Sequence, residues 1–389
     1  MVVGAYYPEL AGGSLQCRTL ALALRDRAAF TILTTTTTPG EVERSEVDGI
    51  PVYRVYVDSR SRRSKIAAAL RMLRLAPTLV RGCDIFHFHG FTEKMILLFG
   101  AARLSGRRTI EKMTSLGWDD PIAIRSRPLG RLLAASQRRV DRLVAITPAL
   151  RDRCLSAGIA EANIVTIPNG VDTERFAPVD AAGRAAQRRR LGLPPDVPLV
   201  TFIGFWSEEK GPHRLFDAWA RARQATGVDA ALLFVGSTDP AHPEVDVQLV
   251  AQVRQRAAAV GLESRFAFVE QTVDVAAYLQ ASDIFAVPSS REGLSNALLE
   301  AMSTGLPSIA GAIPGGDSVI ESGSNGYLVP PADGDLLADV LGRLLADPRL
   351  RADVGRRARH TIVERFAMPT VAERYFALYT ELMRPVAQS

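Results

Sequence analysis

The segment Arg291-Glu292-Gly293-Leu294-Ser295-Asn296-Ala297-Leu298-Leu299-Glu300 sets two carboxylates on either side of what reads as a helix start. It follows an apolar run, Asp283–Ser289, and opens an amphipathic stretch. Ser295 and Asn296 suit the first positions of a helix, and Gly293 lets the backbone come close to a ligand. A helix N-terminus after a buried parallel strand offers free N–H groups and the positive end of the helix dipole, which suits a diphosphate. Glu292 falls in the loop and Glu300 about two turns along the helix. Carboxylates cannot ligate phosphate, but they accept hydrogen bonds from hydroxyls such as those of a sugar and a ribose. The plainer reading is a capped surface helix with an incidental acidic pair.

Gly204-Phe205-Trp206-Ser207-Glu208-Glu209-Lys210-Gly211 directly follows another apolar run, Pro198–Gly204. There Lys210 could reach a phosphate as a point charge, or be an ordinary loop lysine. Ala11-Gly12-Gly13-Ser14, after a short first strand and before a helix, is expected to be a Gly-Gly turn open to a ligand. His87 and His89 alternate on the strand Asp84–Gly90 and are expected on opposite faces, leaving His89 as the one at the functional end. A buried, hydrogen-bonded histidine is the bland alternative. No Ser/His/Asp order and no acidic metal cluster stands out. Cys17, Cys83 and Cys154 are scattered, which points to a reducing compartment without disulfides or structural zinc.

The elements that must position these residues are short apolar runs alternating with amphipathic stretches, the signature of parallel βαβ units. In the first half they are residues 30–37, 84–90, 107–113, 142–147 and 163–168, with helices such as 16–26 and 94–104 between them. The series restarts with 198–204, 230–236, 265–270, 283–289 and 306–311. Two series argue for two doubly wound α/β domains facing each other across a cleft. The expected division is 1–170 and 171–368, marked by Pro168-Asn169-Gly170 and a polar stretch to about Pro195. Loops at the carboxyl ends of the strands are where ligands bind in such sheets.

The net charge of +5 over 389 residues conceals an asymmetry. Residues 1–170 carry 25 basic against 15 acidic side chains, a net of +10, and 171–389 carry 22 against 27, a net of −5. From Ser59 to Cys83 there are seven basic residues and no acid. An anionic partner for the first half follows, and an anionic membrane surface fits better than nucleic acid. Residues Lys65–Ala76 mix Arg with Leu and Met at helical spacing, as an interfacial helix would, although a solvated basic face reads the same way. No apolar run long enough to span a bilayer occurs, and the first residues do not read as a signal peptide. A cytoplasmic protein, peripheral at the inner face of the plasma membrane, is expected.

Taken in order, the Gly12-Gly13 turn, His89-Gly90, IPNGVDTERFAP at 167–178, GFWSEEKG at 204–211 and REGLSNALLEAMSTGLPSIA at 291–310 resemble the retaining GT-B glycosyltransferases of the family-four group, over essentially the whole chain. The resemblance implies two facing Rossmann-like domains, the last helix (about 369–389) packing back on the first, acceptor-binding one. It implies transfer of a sugar from a nucleotide donor, a UDP- or GDP-sugar, with retention and without metal or cofactor, to a glycan, polysaccharide or lipid-linked acceptor. Carried over residue by residue, Glu300 would bind the ribose, Lys210 the diphosphate and Glu292 the transferred sugar. Backbone at Gly293, Leu294 and Ser295 would hold phosphates and hydroxyls, Glu270 would line the base pocket, and Gly13 would lie against phosphate or acceptor. Glu292 and His89 are the catalytic candidates. Two departures stand out: Phe205 replaces an arginine usual in relatives, with Arg291 as its stand-in, and KMTSLGWDDP (112–121) lacks a histidine, leaving Thr114 or Ser115 to bond the sugar. A non-catalytic GT-B binding protein is the alternative; an epimerase would need cleft acids and histidines not found here.

Overall fold

The computed structural model describes residues 1–8, 12–40, 42–58, 60–239 and 244–384, the Lys94 side chain excepted. Ala11 of the glycine segment, Ser59 of the basic stretch, His242 and residues 385–389 of the last helical segment lie outside the described residues. The chain divides into two compact units: Met1–Gly170 with the segment from Met368, and Val171–Ala367.

Unit 1 is built on strands β1 (Val2–Val3), β2 (Ile32–Thr36), β3 (Glu43–Val47), β4 (Ile50–Tyr56), β5 (Ile85–His89), β6 (Arg108–Lys112), β7 (Arg142–Ala145) and β8 (Ile164–Thr166). Its helices are α1 (Gly12–Ala23), α2 (Arg62–Gly82), α3 (Ile96–Leu104), α4 (Gly130–Gln137) and α5 (Pro148–Ser156). The strand order is β3-β4-β2-β1-β5-β6-β7-β8, parallel except for β3. Order therefore reverses at β1, so the carboxyl ends of β1 and β5 flank the switch point where ligands bind in open parallel sheets. The β3–β4 hairpin was not anticipated from the sequence. It turns on Asp48-Gly49, both at positive φ, 54° and 79°, as a two-residue turn matching strand twist requires.

Unit 2 follows the helix α6 (Ala181–Leu191) with β9 (Leu199–Ile203), α7 (Pro212–Thr226), β10 (Ala231–Val235), α8 (Val247–Ala259), β11 (Phe266–Val269) and α9 (Val275–Ala281). It continues through β12 (Ile284–Val287), α10 (Asn296–Ser303), β13 (Ser308–Gly311), β14 (Tyr327–Val329), α11 (Gly334–Ala346) and α12 (Pro348–Arg365). All strands are parallel, in the order β11-β10-β9-β12-β13-β14. The central ones are apolar on both faces, ALLFV in β10 and IFAV in β12 being fully buried, as a parallel sheet covered by helices demands. Asp283, at the start of β12, accepts from Arg184 at 2.7 Å, Arg188 at 2.5 Å and the Leu199 amide at 2.8 Å, fixing α6 to the amino end of the sheet. That leaves the carboxyl end for loops.

The final helix, α13 (Met368–Met383), belongs to unit 1. Its Val371, Tyr375, Leu378 and Leu382 join Leu20 of α1, Leu24 just past it, and Ile110 and Val144 of the sheet in one buried cluster.

Candidate active site

The donor-type residues of unit 2 converge at the carboxyl ends of β9, β12 and β13. After β12 the chain runs through a loop to Ser295, whose side chain accepts from the Leu298 amide and caps α10. Opposite, the turn after β9 is anchored by Trp206, fully buried and 4.6 Å and 5.0 Å from the rings of Phe234 and Phe268. The two loops clasp each other. The Ser290 amide donates to the Glu209 carbonyl at 2.7 Å, the Arg291 guanidinium forms a two-point pair with the Glu209 carboxylate (2.9 and 2.6 Å), and Lys210 Nζ lies 2.5 Å from Glu292 Oε1. Ser289 Oγ donates to the same Glu292 oxygen at 3.2 Å. Lys210 and Glu292 are thus one charge pair at the start of α10, both only partly exposed.

A third loop, after β13, closes the site and was not singled out from the sequence. A Cβ at Gly311 would stand 2.0 Å from the Ser289 carbonyl oxygen, and one at Gly315 would stand 2.3 Å from that of Gly293. Only glycine permits this approach of two backbones. Ser289, Glu292, Ser295, Gly311, Gly315 and Gly316, with Val287 and Leu298, line a small pocket of about 10 Å³, room for a single water molecule. Its signal in the sequence was two glycine positions after a strand, in the series of parallel strands already recognised. Gly311→Ala should lower unfolding stability by about 1–3 kcal/mol through overpacking, measured by urea denaturation.

Glu300 lies on the same helix in a setting that pushes its carboxyl up to about 8; burial is the main cause, and Arg175 opposes it. Glu270, just past β11, accepts from the Thr238 amide at 3.1 Å and from the Thr238 hydroxyl, bracing the loops after β10 and β11. Arg291, the proposed stand-in for an arginine at 205, is held by Glu209 on an exposed edge. A further arginine that the sequence did not flag, Arg214 in the first turn of α7, donates to the Pro288 carbonyl at 3.2 Å.

In unit 1 two expectations need correction. Gly12 and Gly13 are not a loop but the first turn of α1, and a Cβ on Gly13 would meet open space. His87 and His89 do not point to opposite faces. Residues two apart on a strand share a face, and their rings lie 4.3 Å apart. His87 Nδ1 is 2.8 Å from the Tyr379 hydroxyl, while neither ring nitrogen of His89 has a hydrogen-bond partner. Burial, with Lys112 nearby, drives both histidines well below the usual range, so both are neutral. Lys112, the register neighbour of His89 on β6, is itself buried, pushed down to about 7 by burial, with its ammonium 5.8 Å from the Tyr375 ring. A lysine ending an otherwise strand-like run was its only signal. Thr114, by contrast, gives its amide and hydroxyl to Asp119, which also accepts from the Ser115 amide. Asp120 accepts from the amides of Gly117, Ile122 and Ala123. The loop after β6 is braced by two buried aspartates, and the Thr114 hydroxyl is engaged within it.

The family model "Glycosyl transferases group 1" matches residues 183–361, which hold all of the unit 2 site, and "Glycosyltransferase Family 4" matches residues 11–175. The chain belongs to the group 1 glycosyltransferases. Among curated relatives, the N-acetyl-alpha-D-glucosaminyl L-malate synthase of Bacillus anthracis is 27% identical over 82% of this chain and 80% of its own length. The D-inositol 3-phosphate glycosyltransferase of Kineococcus radiotolerans is 33% identical over 59% of this chain and 55% of its own, so the match spans just over half of that relative. Anabaena HepE, solved with UDP-glucose, has a TM-score of 0.78 at 19% identity, covering 98% of this chain and 99% of that one. This likeness shows the GT-B fold.

Proposed function

We propose that this group 1 glycosyltransferase moves a sugar, with retention of configuration, from a nucleoside diphosphate sugar to a glycan, polysaccharide or lipid-linked acceptor. The observation that carries the reading is the Lys210–Glu292 pair at the N-terminus of α10, beside a pocket with Glu300 on the same helix. Lys210 and the amides at Gly293, Leu294 and Ser295 take the diphosphate, where helix N–H groups and one ammonium supply the counter-charge without a metal. Glu292 accepts from hydroxyls of the transferred sugar, Glu300 from the ribose, and the backbone around Glu270 borders the base, a uracil or guanine. Arg291 adds positive potential at the rim. His89, neutral, and Gly13 serve the acceptor side within unit 1. The two curated relatives carry L-malate and D-inositol 3-phosphate in their names, both anionic, and the basic first unit fits an anionic acceptor.

The bond between the anomeric carbon and the phosphate oxygen breaks as the acceptor hydroxyl attacks from the same face, its proton passing to the departing phosphate. The protein's share is positioning and stabilising the charge that grows on the diphosphate. Incubation with UDP-, GDP- and ADP-sugars should give one class that raises the melting temperature and is slowly hydrolysed. Stabilisation by none of them would overturn the reading, and stabilisation without turnover on any acceptor would favour a non-catalytic binder.

Glu300 gives this reading a pH signature. Its carboxyl ionises near 8 in the free protein, and ribose hydroxyls donate best to the ionised form. Donor binding should therefore lower that value, release protons at pH 7 and tighten as pH rises from 6 to 8. Calorimetry in buffers of different ionisation enthalpy measures the release, and Glu300→Gln should abolish it. Release unchanged in Glu300→Gln would sink the ribose assignment.

A further inference from the structure

We propose that the outer face of α2 docks unit 1 on an anionic phospholipid surface. The helix runs Arg62–Gly82, is capped at Ser61, and buries Ala68, Met72, Ala76 and Leu79 against its own unit. Its opposite side is exposed and mixed. Ile66, Leu70 and Leu73 stand 56%, 50% and 37% exposed at spacings of four and three, which stacks them in one stripe along the helix. At helical periodicity Arg62 and Lys65 fall on one flank of that stripe, and Arg63, Arg74 and Arg81 on the other.

The cations on this face lack acidic neighbours along the chain. Arg18, Arg103, Arg108, Arg127, Arg142 and Arg151 of the same unit each meet a carboxylate. Among the described residues, none of the six cations of α2 has an ion pair, and no acid lies between Asp58 and Asp84. Asp84 at the far end pairs with Arg107. Arg125, Arg131 and Arg139 in the acid-free segment 121–140 are likewise without an ion pair among the described residues, so the cations alone do not single out α2; the aliphatic stripe between them does. An arginine-rich composition alone would not put three large aliphatic side chains in water between the cations of one helix.

Both features have one common occupant. Aliphatic side chains enter the boundary between headgroups and acyl chains, and flanking cations meet the phosphates at that depth. A nucleic acid would satisfy the cations but offers the stripe nothing, and α2 has no aromatic side chain on which a base could stack. The helix would lie in the plane of the surface with its buried face still on unit 1. The N-terminal placement of Ser61 and the internal Pro77 leave the Ile66–Leu73 stripe on an unbroken part of the helix.

The test is co-sedimentation of the full chain with vesicles of phosphatidylcholine containing phosphatidylglycerol, against phosphatidylcholine alone. The wild-type chain should bind only the anionic vesicles and should release as salt rises from about 0.1 to 0.5 M. Each surface cation is worth about fivefold in partitioning, so Arg63→Gln/Arg74→Gln/Arg81→Gln should bind about a hundredfold more weakly. Ile66→Ser/Leu70→Ser/Leu73→Ser, which keeps every cation, should lose about tenfold or more. Nucleoside diphosphate binding, a property of unit 2, should match wild type in both variants. This shows that they fold and separates failure here from failure of the donor reading. No binding to anionic vesicles at low salt, or equal binding to neutral ones, would overturn the proposal. Wild-type binding by the serine variant would also overturn it, in favour of a purely electrostatic partner.

Discussion

Lys210→Ala should lower turnover by about 10²- to 10³-fold, the loss typical of removing one preorganised charge from a developing anion. Its ammonium is held at the mouth of the pocket by Glu292 and by a turn that Trp206 anchors in an aromatic cluster, so its position is fixed before a ligand arrives. The diphosphate gains negative charge as its bond to the sugar breaks, and a fixed cation therefore lowers the transition state more than the ground state. Nucleoside diphosphate affinity should fall less than turnover. The partly exposed pair contributes little to folding, about 1 kcal/mol, so the melting temperature should move by only a few degrees. Lys210→Arg should recover part of the rate, limited by a planar group too wide for the site of a compact ammonium. Steady-state kinetics with the donor found by thermal shift, beside calorimetry with the nucleoside diphosphate, separates the two effects. Unchanged turnover in Lys210→Ala would remove the residue from the donor site.

Much of this site was legible in the sequence because parallel sheets leave strong traces. Buried strands such as β10 and β12 are continuous apolar runs, and their restart after Gly170 gave the second series of units. Glu292, Ser295 and Glu300 could be placed because a capping serine after such a run fixes where the helix starts. Two features were lost for physical reasons. The strand β3 sits at a sheet edge with mostly exposed residues, so it lacks an apolar run, and Asp48-Gly49 is the one sharp signal of its hairpin with β4. Gly311 and Gly315 matter through contacts with carbonyls more than twenty residues away in the chain, which no local pattern encodes. His87 and His89 were assigned to opposite faces through a misapplied period, although a spacing of two on a strand already puts both on one. What no single segment could disclose was the pairing across loops. Arg291 reads as a spare cation until Glu209 is seen to hold it, and Lys210 reads as free until Glu292 is seen beside it.

That last pairing leads to a less intuitive expectation: Glu292→Gln should bind nucleoside diphosphate more tightly than wild type while transferring sugar far more slowly. The Glu292 carboxylate neutralises the cation that the diphosphate needs. A nucleotide must displace this contact, and once bound its phosphates lie near a carboxylate of like charge. The amide removes both penalties, and since charge-assisted hydrogen bonds are worth about 1.5–3 kcal/mol, affinity should rise by about tenfold or more. Glutamine keeps the size of the side chain and its place near Ser289 Oγ, so the pocket wall stays intact. The sugar, however, loses a charged acceptor for its hydroxyls at the moment when its position decides the reaction, and turnover should drop by about 10²-fold. Binding of a nucleotide and productive placement of its sugar thus make opposite demands on one carboxylate. Lys210→Ala/Glu292→Gln tests the logic as a double-mutant cycle: the gain in nucleotide affinity should vanish once Lys210 is absent. If Glu292→Gln weakened nucleotide binding, the carboxylate would be a direct nucleotide contact and the competition described here would be wrong.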